Sequence, residues 1–260
     1  RERPDQAAWR RKFGVLAPST NSMVEYDVNS MNVPGVVPLF SRIHIYDADL
    51  SSPAQMEKLR VQLDESLDYA VDLVKTAEPD YMVMGMSAET FWGGKEGNEY
   101  FKRRIKERSG GLDVATGAEA CELALNAFGV KSIAVVTPYQ VNGDEQVDRY
   151  FSECGFEVRA VKGLKRPTAI SIAETTEDEL REALLELNET GADALVQVGT
   201  NMGMVRLGAE AERWLGKPVL AINAATWWMA LRQNGIEDKL YVQTIELTRN
   251  LDREVVLVTL

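Results

Sequence analysis

The chain has 260 residues, enough to bury a sizeable core as one large α/β unit or two smaller lobes. Its net charge of −11 gives no electrostatic footprint for nucleic acid or an anionic lipid surface, and its two cysteines, Cys121 and Cys154, are too few for a disulfide framework. Residues 1–12 are charged without the apolar core of a signal peptide, and no apolar run approaches the roughly 20 residues of a membrane helix, so a cytoplasmic protein with reduced thiols is expected.

Residues 13–17 form a short apolar run that ends in Pro18-Ser19-Thr20-Asn21 before a helical segment from Met23, which reads as strand, polar turn and helix start. Any of Ser19, Thr20 or Asn21 suits a helix cap, and free amides at a helix N-terminus favour an anion. Residues 36–46 read as a second strand, with Pro38 fitting an edge, and the lone His44 faces outward or packs without a chemical partner. Ser51-Ser52-Pro53 opens a long helix to about Ala77, with Met56, Leu59, Leu63, Leu67, Ala70, Val71 and Val74 recurring at three and four residues on one buried face.

Glu78-Pro79-Asp80 turns the chain into residues 81–84, an apolar run suited to a parallel strand covered on both faces. Ser87, Glu89 and Thr90 follow at its carboxyl end, where open α/β sheets bind ligands. A charged helix over 96–108 stops at Gly110-Gly111; a short strand or turn at 114–117 leads into a helix over 118–128. Residues 133–136 form a strand ending in Thr137-Pro138-Tyr139, with a helix over 143–153, a strand over 156–161 and a basic loop over 162–167. Thr176 to Glu179 has the capping-box pattern, and a further strand over 193–198 breaks at Gly199-Thr200-Asn201. A helix over 204–215, a strand over 218–222 and a helix containing Trp227 and Trp228 complete the alternation that predicts βαβ units and a mainly parallel sheet.

The two halves repeat one another. Phe13-Gly-Val-Leu-Ala-Pro18 matches Ile133-Ala-Val-Val-Thr-Pro138, residues 80–87 match 193–200, and 114–125 match 220–231, in the same order. The repeat predicts two similar α/β lobes whose strand ends face one cleft, with Ser19 to Asn21, Ser87, Tyr139, Thr200 and Asn201 around it. The boundaries drawn from it are 11–117 plus 224–240 for the first lobe, 118–223 for the second, and 241–260 as a C-terminal extension.

Over about residues 13–240 the chain resembles the aspartate/glutamate racemase superfamily, in the branch containing maleate cis-trans isomerase and arylmalonate decarboxylase. The matching motifs are Ala-Pro-Ser-Thr-Asn (17–21), Gly-Met-Ser-Ala-Glu-Thr-Phe-Trp-Gly (85–93), Thr-Pro-Tyr (137–139), Gly-Thr-Asn (199–201) and Gly-Lys-Pro-Val (216–219). The resemblance implies an α/β fold of two flavodoxin-like lobes related by a pseudo-twofold, each a mainly parallel sheet flanked by helices. It also implies no metal or organic cofactor and a small carboxylate substrate held between the lobes. The family asparagine falls on Asn21 and the family tyrosine on Tyr139, with amides and hydroxyls near Ser87 and Thr200 placed to bind carboxylate oxygens and stabilise enolate-like charge.

The departure from the family falls at its cysteines, whose aligned positions here are Met86 and Gly199, while Cys121 and Cys154 lie on predicted helices away from the strand ends. Thiol-based racemisation or addition is therefore not expected. Glu89, in the same turn, is the candidate general acid or base if burial raises its pKa, and Ser87 is either an oxyanion donor or a nucleophile activated by Glu89. The expected activity is cofactor-independent isomerisation or decarboxylation of a small carboxylic acid or related carbonyl compound. Hydrolysis of a small amide, imide or lactone through Glu89-activated water or Ser87 is the alternative, and a non-catalytic carboxylate binder a third. A homo-oligomer without nucleic-acid or membrane partners is expected.

Overall fold

Residues 81–84 are buried at every position, and so is the matching strand of the second half; both become central strands of parallel sheets. The computed structural model describes residues 5–242 and 255–257. In the first half, β1 (Arg11–Pro18), β2 (Val36–Ile43), β3 (Tyr81–Met84) and β4 (Val114–Ala115) pair in the order β2-β1-β3-β4. In the second, β5 (Ser132–Thr137), β6 (Glu157–Gly163), β7 (Ala194–Gln197) and β8 (Val219–Ala221) pair in the order β6-β5-β7-β8. All pairings within the two sheets are parallel and the strand order is the same, as the sequence repeat requires. The fold is thus α/β with two lobes.

Helices α1 (Met23–Ser30), α2 (Pro53–Lys75), α3 (Ala88–Phe91), α4 (Gly94–Ser109) and α5 (Gly117–Ala127) belong to the first half of the chain. Helices α6 (Val141–Glu153), α7 (Glu177–Asn188), α8 (Val205–Leu215) and α9 (Ile222–Gln233) follow. The start of α2 is fixed by Pro53 at its first turn and by Ser52, whose side chain accepts from the Gln55 amide. Its buried stripe of Met56, Leu63, Leu67, Ala70, Val71 and Val74 covers the first sheet, each fully buried Leu contributing roughly 1.5–3 kcal/mol. The capping box of Thr176 and Glu179 is formed at the start of α7.

Pro38 is accommodated because β2 pairs with β1 alone, leaving its other side without a ladder to break. His44 is exposed. The turn expected after β3 is wound instead into the single helical turn α3, in which the Ser87 carbonyl accepts from both the amide and the hydroxyl of Thr90. Part of the expected basic loop, through Gly163, continues β6 because it pairs with β5.

Helix α9 follows the second sheet in sequence yet packs on α5, α1 and β3, and on that basis we propose to keep 224–240 with the first lobe. The expected extension, 241–260, lies outside the described residues except at 241–242 and 255–257, where β9 (Leu240–Val242) and β10 (Val255–Leu257) pair antiparallel. No helix among the described residues is long and apolar enough to cross a membrane.

Candidate active site between the sheets

The carboxyl ends of the central strands of both sheets empty into one cavity of about 640 Å³, its open mouth included. Pro18 follows from β1, Met86 to Ala88 from β3, Pro138 and Tyr139 from β5, and Gly199 to Asn201 from β7, so the topological switch points of the two sheets face each other. Apolar side chains, among them Ile45, Leu50, Met56, Leu63, Trp92 and Ile172, make up most of the remaining wall. Polar groups are few on this wall.

Those few form a network that ties the halves together. Ser87 Oγ stands 2.6 Å from the Tyr139 hydroxyl and accepts from the Thr200 amide at 3.2 Å. Whichever hydroxyl donates to the other, the pair shares one hydrogen bond and retains one O–H proton for a third partner. Burial pushes the Tyr139 phenol well above its ordinary range, so it stays protonated at neutral pH. Thr137 orients this corner: its Oγ1 accepts from the Tyr139 amide at 3.1 Å and donates to Asp144, whose carboxyl burial pushes up to about 6.

Asn21 bridges two tasks. Its Oδ1 accepts from the amides of Met23 and Val24, both at 3.0 Å, which closes the start of α1, and its Nδ2 donates to Thr200 Oγ1 at 3.1 Å. The Thr200 hydroxyl in turn donates to the Gly85 carbonyl at 3.1 Å. Asn201 Oδ1 accepts from the Ser22 amide at 3.0 Å, and its Nδ2 donates to the Ala169 carbonyl at 2.9 Å. Behind the network, Asn223 Nδ2 donates to the Thr200 carbonyl at 2.9 Å and to Asp27 at 2.7 Å; burial pushes the Asp27 carboxyl up to about 7.

Of the residues expected from sequence, Thr20, Asn21, Met86, Ser87, Tyr139, Gly199, Thr200 and Asn201 all line the cavity. Ser19 stands just outside, its hydroxyl accepting from the Ile45 amide at 3.0 Å. Glu89 is not on the wall. Its carboxylate is nearly buried, 3.8 Å from the Arg60 guanidinium, and burial pushes it up to about 7 against the opposing pull of Arg60. Ser87 hydrogen-bonds to Tyr139 and Thr200, not to Glu89, among the described residues.

Neither cysteine reaches the cavity: Cys121 is fully buried on α5 and Cys154 is half-buried beyond the end of α6. Gly199 has φ of +114°, and a Cβ built there would lie 2.5 Å from Pro138 Cδ, so no side chain fits at this position as the chain stands. Among the described residues no three His, Cys, Asp or Glu side chains group as metal ligands. Sequence reasoning missed Arg60, Asp27 and Asn223. The signal for the first two was a charged residue inside the apolar stripe of a helix: Arg60 lies between Met56 and Leu63, and Asp27 between Val24 and Val28.

Matched parallel sheets meeting at a cavity with hydroxyl groups from both halves define a bilobal α/β protein with a ligand cleft between its lobes. The chain belongs to the arylmalonate decarboxylase family, whose model matches residues 55–244. A maleate isomerase of Geobacillus stearothermophilus is 22% identical over 238 residues, 89% of this chain and 94% of that enzyme. One from Alcaligenes faecalis is 28% identical over 138 residues; that match spans only 52% of this chain and 54% of the relative. Among solved structures, the maleate isomerase Iso of Pseudomonas putida S16 superposes with a TM-score of 0.79 at 20% identity, covering 88% of this chain and 95% of that one. Unliganded arylmalonate decarboxylase gives 0.70 at 18%, with the same coverage. These likenesses agree with the observed fold.

Proposed function

We propose that the protein is a cofactor-independent enzyme that decarboxylates or isomerises a small carboxylic acid bearing an apolar substituent, through an enolate-like intermediate. The observation that carries this reading is the Ser87–Tyr139 hydroxyl pair, 2.6 Å apart in an otherwise largely apolar cavity. For a substituted malonate, the carboxylate facing the apolar wall leaves as carbon dioxide, and its bonding pair passes into the remaining carboxylate to form an enediolate. The spare hydroxyl proton of the pair donates to the enediolate oxygen, where a fixed donor in a water-poor site stabilises developing charge. The α-carbon then takes a proton through the hydroxyl pair, which recovers one from water in the same relay, so the monoacid and carbon dioxide leave with both hydroxyls protonated as before.

Decarboxylation is favoured over thiol addition because no cysteine lines the cavity. Hydrolysis lacks support: Ser87 is paired with Tyr139, and the relatives named above are isomerases and a decarboxylase. In this reading Glu89 acts through Arg60 and not as the acid or base itself.

Incubation with aryl- and alkylmalonates, maleate and amino-acid enantiomers in heavy water tests the proposal. Carbon dioxide release with one deuterium at the α-carbon is the expected result for malonates. Silence across the whole panel overturns it, and tight binding without turnover favours a carboxylate-binding protein instead.

A further inference from the structure

Among the described residues on the cavity wall, Arg60 alone carries a charge. It occupies the buried stripe of α2, with Leu59 beside it and Leu63 one turn on, and about a third of its side chain is exposed. Its guanidinium lies over the Trp92 ring, 6.0 Å from the centroid, and Trp92 is itself part of the wall. Placing an ionised group in an apolar wall carries a desolvation cost that a Leu or Met at the same stripe position avoids. A planar fork of N–H donors is what a carboxylate recognises.

The contacts of Arg60 are unequal. Nε and Nη2 reach Glu57 at 3.0 and 2.8 Å, a pair three residues apart on the same helix whose glutamate is 48% exposed. Exposed pairs of this kind contribute little and exchange with solvent. Nη1 faces the other way, 3.8 Å from Glu89, whose side chain is only 11% exposed and whose Oε1 is buried without a hydrogen-bond partner. One edge of the guanidinium is therefore held by a buried carboxyl and the other by an exposed one, which can swing into solvent and leave that edge to a ligand carboxylate.

We propose that Arg60 is a specificity-determining residue, forming a subsite for a second anionic group, a carboxylate, carried at the far end of the substrate's apolar arm. Glu89 is its positioning residue, and Glu57 holds the place the distal carboxylate takes. The proposal rests on the reading of the Ser87–Tyr139 pair as the site of the reacting carboxylate.

Calorimetric binding of straight-chain dicarboxylates from succinate to pimelate, each beside the monocarboxylate of equal chain length, tests it on the full chain. The wild type is expected to bind at least one diacid about tenfold tighter than its matching monoacid. Arg60→Met brings that ratio close to one, Arg60→Lys retains part of it, and Glu57→Gln raises it. A ratio that is unchanged in Arg60→Met, or near one in the wild type, overturns the subsite. Tyr139→Phe separates the two readings: it weakens both acid classes alike if the reacting-carboxylate site is right. If Tyr139→Phe leaves both classes unaffected, the reading of the hydroxyl pair fails, whereas the subsite stands or falls on the ratio and its dependence on Arg60. Thermal unfolding of each variant establishes that it is folded.

Discussion

Ser87 and Tyr139 come from opposite halves of the chain and meet at 2.6 Å across the cavity, in a link that carries a transferable proton. Removing one preorganised donor of this kind costs about 10²–10³ in turnover. Ser87→Ala and Tyr139→Phe are each expected to lower kcat by that factor with a smaller effect on KM. The double variant is expected to lose little more than either single one, because the two hydroxyls act as a unit. Steady-state rates on whichever malonate proves active measure this, and fully multiplicative losses would show that the hydroxyls act independently.

Glu89 sets a pH signature on stability. Its folded-state pKa of about 7 lies above the ordinary value of 4.5, so its contribution is fully present below pH 4.5 and is lost as pH rises through about 7. Glu89→Gln is expected to be more stable than the wild type near pH 8, by an amount on the order of 3 kcal/mol at most, and about equal to it near pH 4. Asp27 and Asp144, also raised by burial, put the same slope into both proteins, so the difference isolates Glu89. Urea unfolding at the two pH values is the measurement; a constant difference between them would contradict the assignment.

Asn21 is expected to matter twice. Asn21→Ala removes the acceptor that closes α1 and the donor to Thr200, and it should lower stability by about 1–2 kcal/mol, the usual effect of losing a helix-capping side chain. Activity should fall further than that loss of folded protein explains, because Thr200 also presents its amide to Ser87. Activity per folded molecule, read beside urea unfolding, separates the two effects.

Positions 86 and 199 both line the cavity but differ in what they tolerate. Met86→Cys leaves a small void and is expected to cost about 1–2 kcal/mol. Gly199→Cys combines an unfavourable backbone with a collision against Pro138 and should cost more than about 2 kcal/mol. Thiol labelling of the folded proteins provides a second reading: Met86→Cys adds a group reachable from the cavity, whereas Cys121 is sealed in the core.

Much of this architecture was legible along the chain because each half repeats a short apolar run, a polar turn and an amphipathic helix. The motifs at 17–21, 85–93, 137–139 and 199–201 lie at strand ends, and strand ends are where the cavity forms. Glu89 shows where such reading stops. One helical turn carries it past the cavity wall to Arg60, and a string of letters does not reveal that Ser87 to Thr90 coil and do not extend. Arg60 itself sits some thirty positions from the motif it serves. Its only trace was a cation out of place in the stripe of Met56 and Leu63, a mark that equally fits a solvated stem.

The close approach of Gly199 to Pro138 also bears on how this protein can change over generations. A side chain installed at 199 meets the Pro138 ring unless the backbone there shifts, and Pro138 leads directly into Tyr139. Changes at the two positions are therefore expected to be coupled. Met86 on the same wall meets no such obstacle, so a thiol enters this cavity more readily from the first half of the chain than from the second.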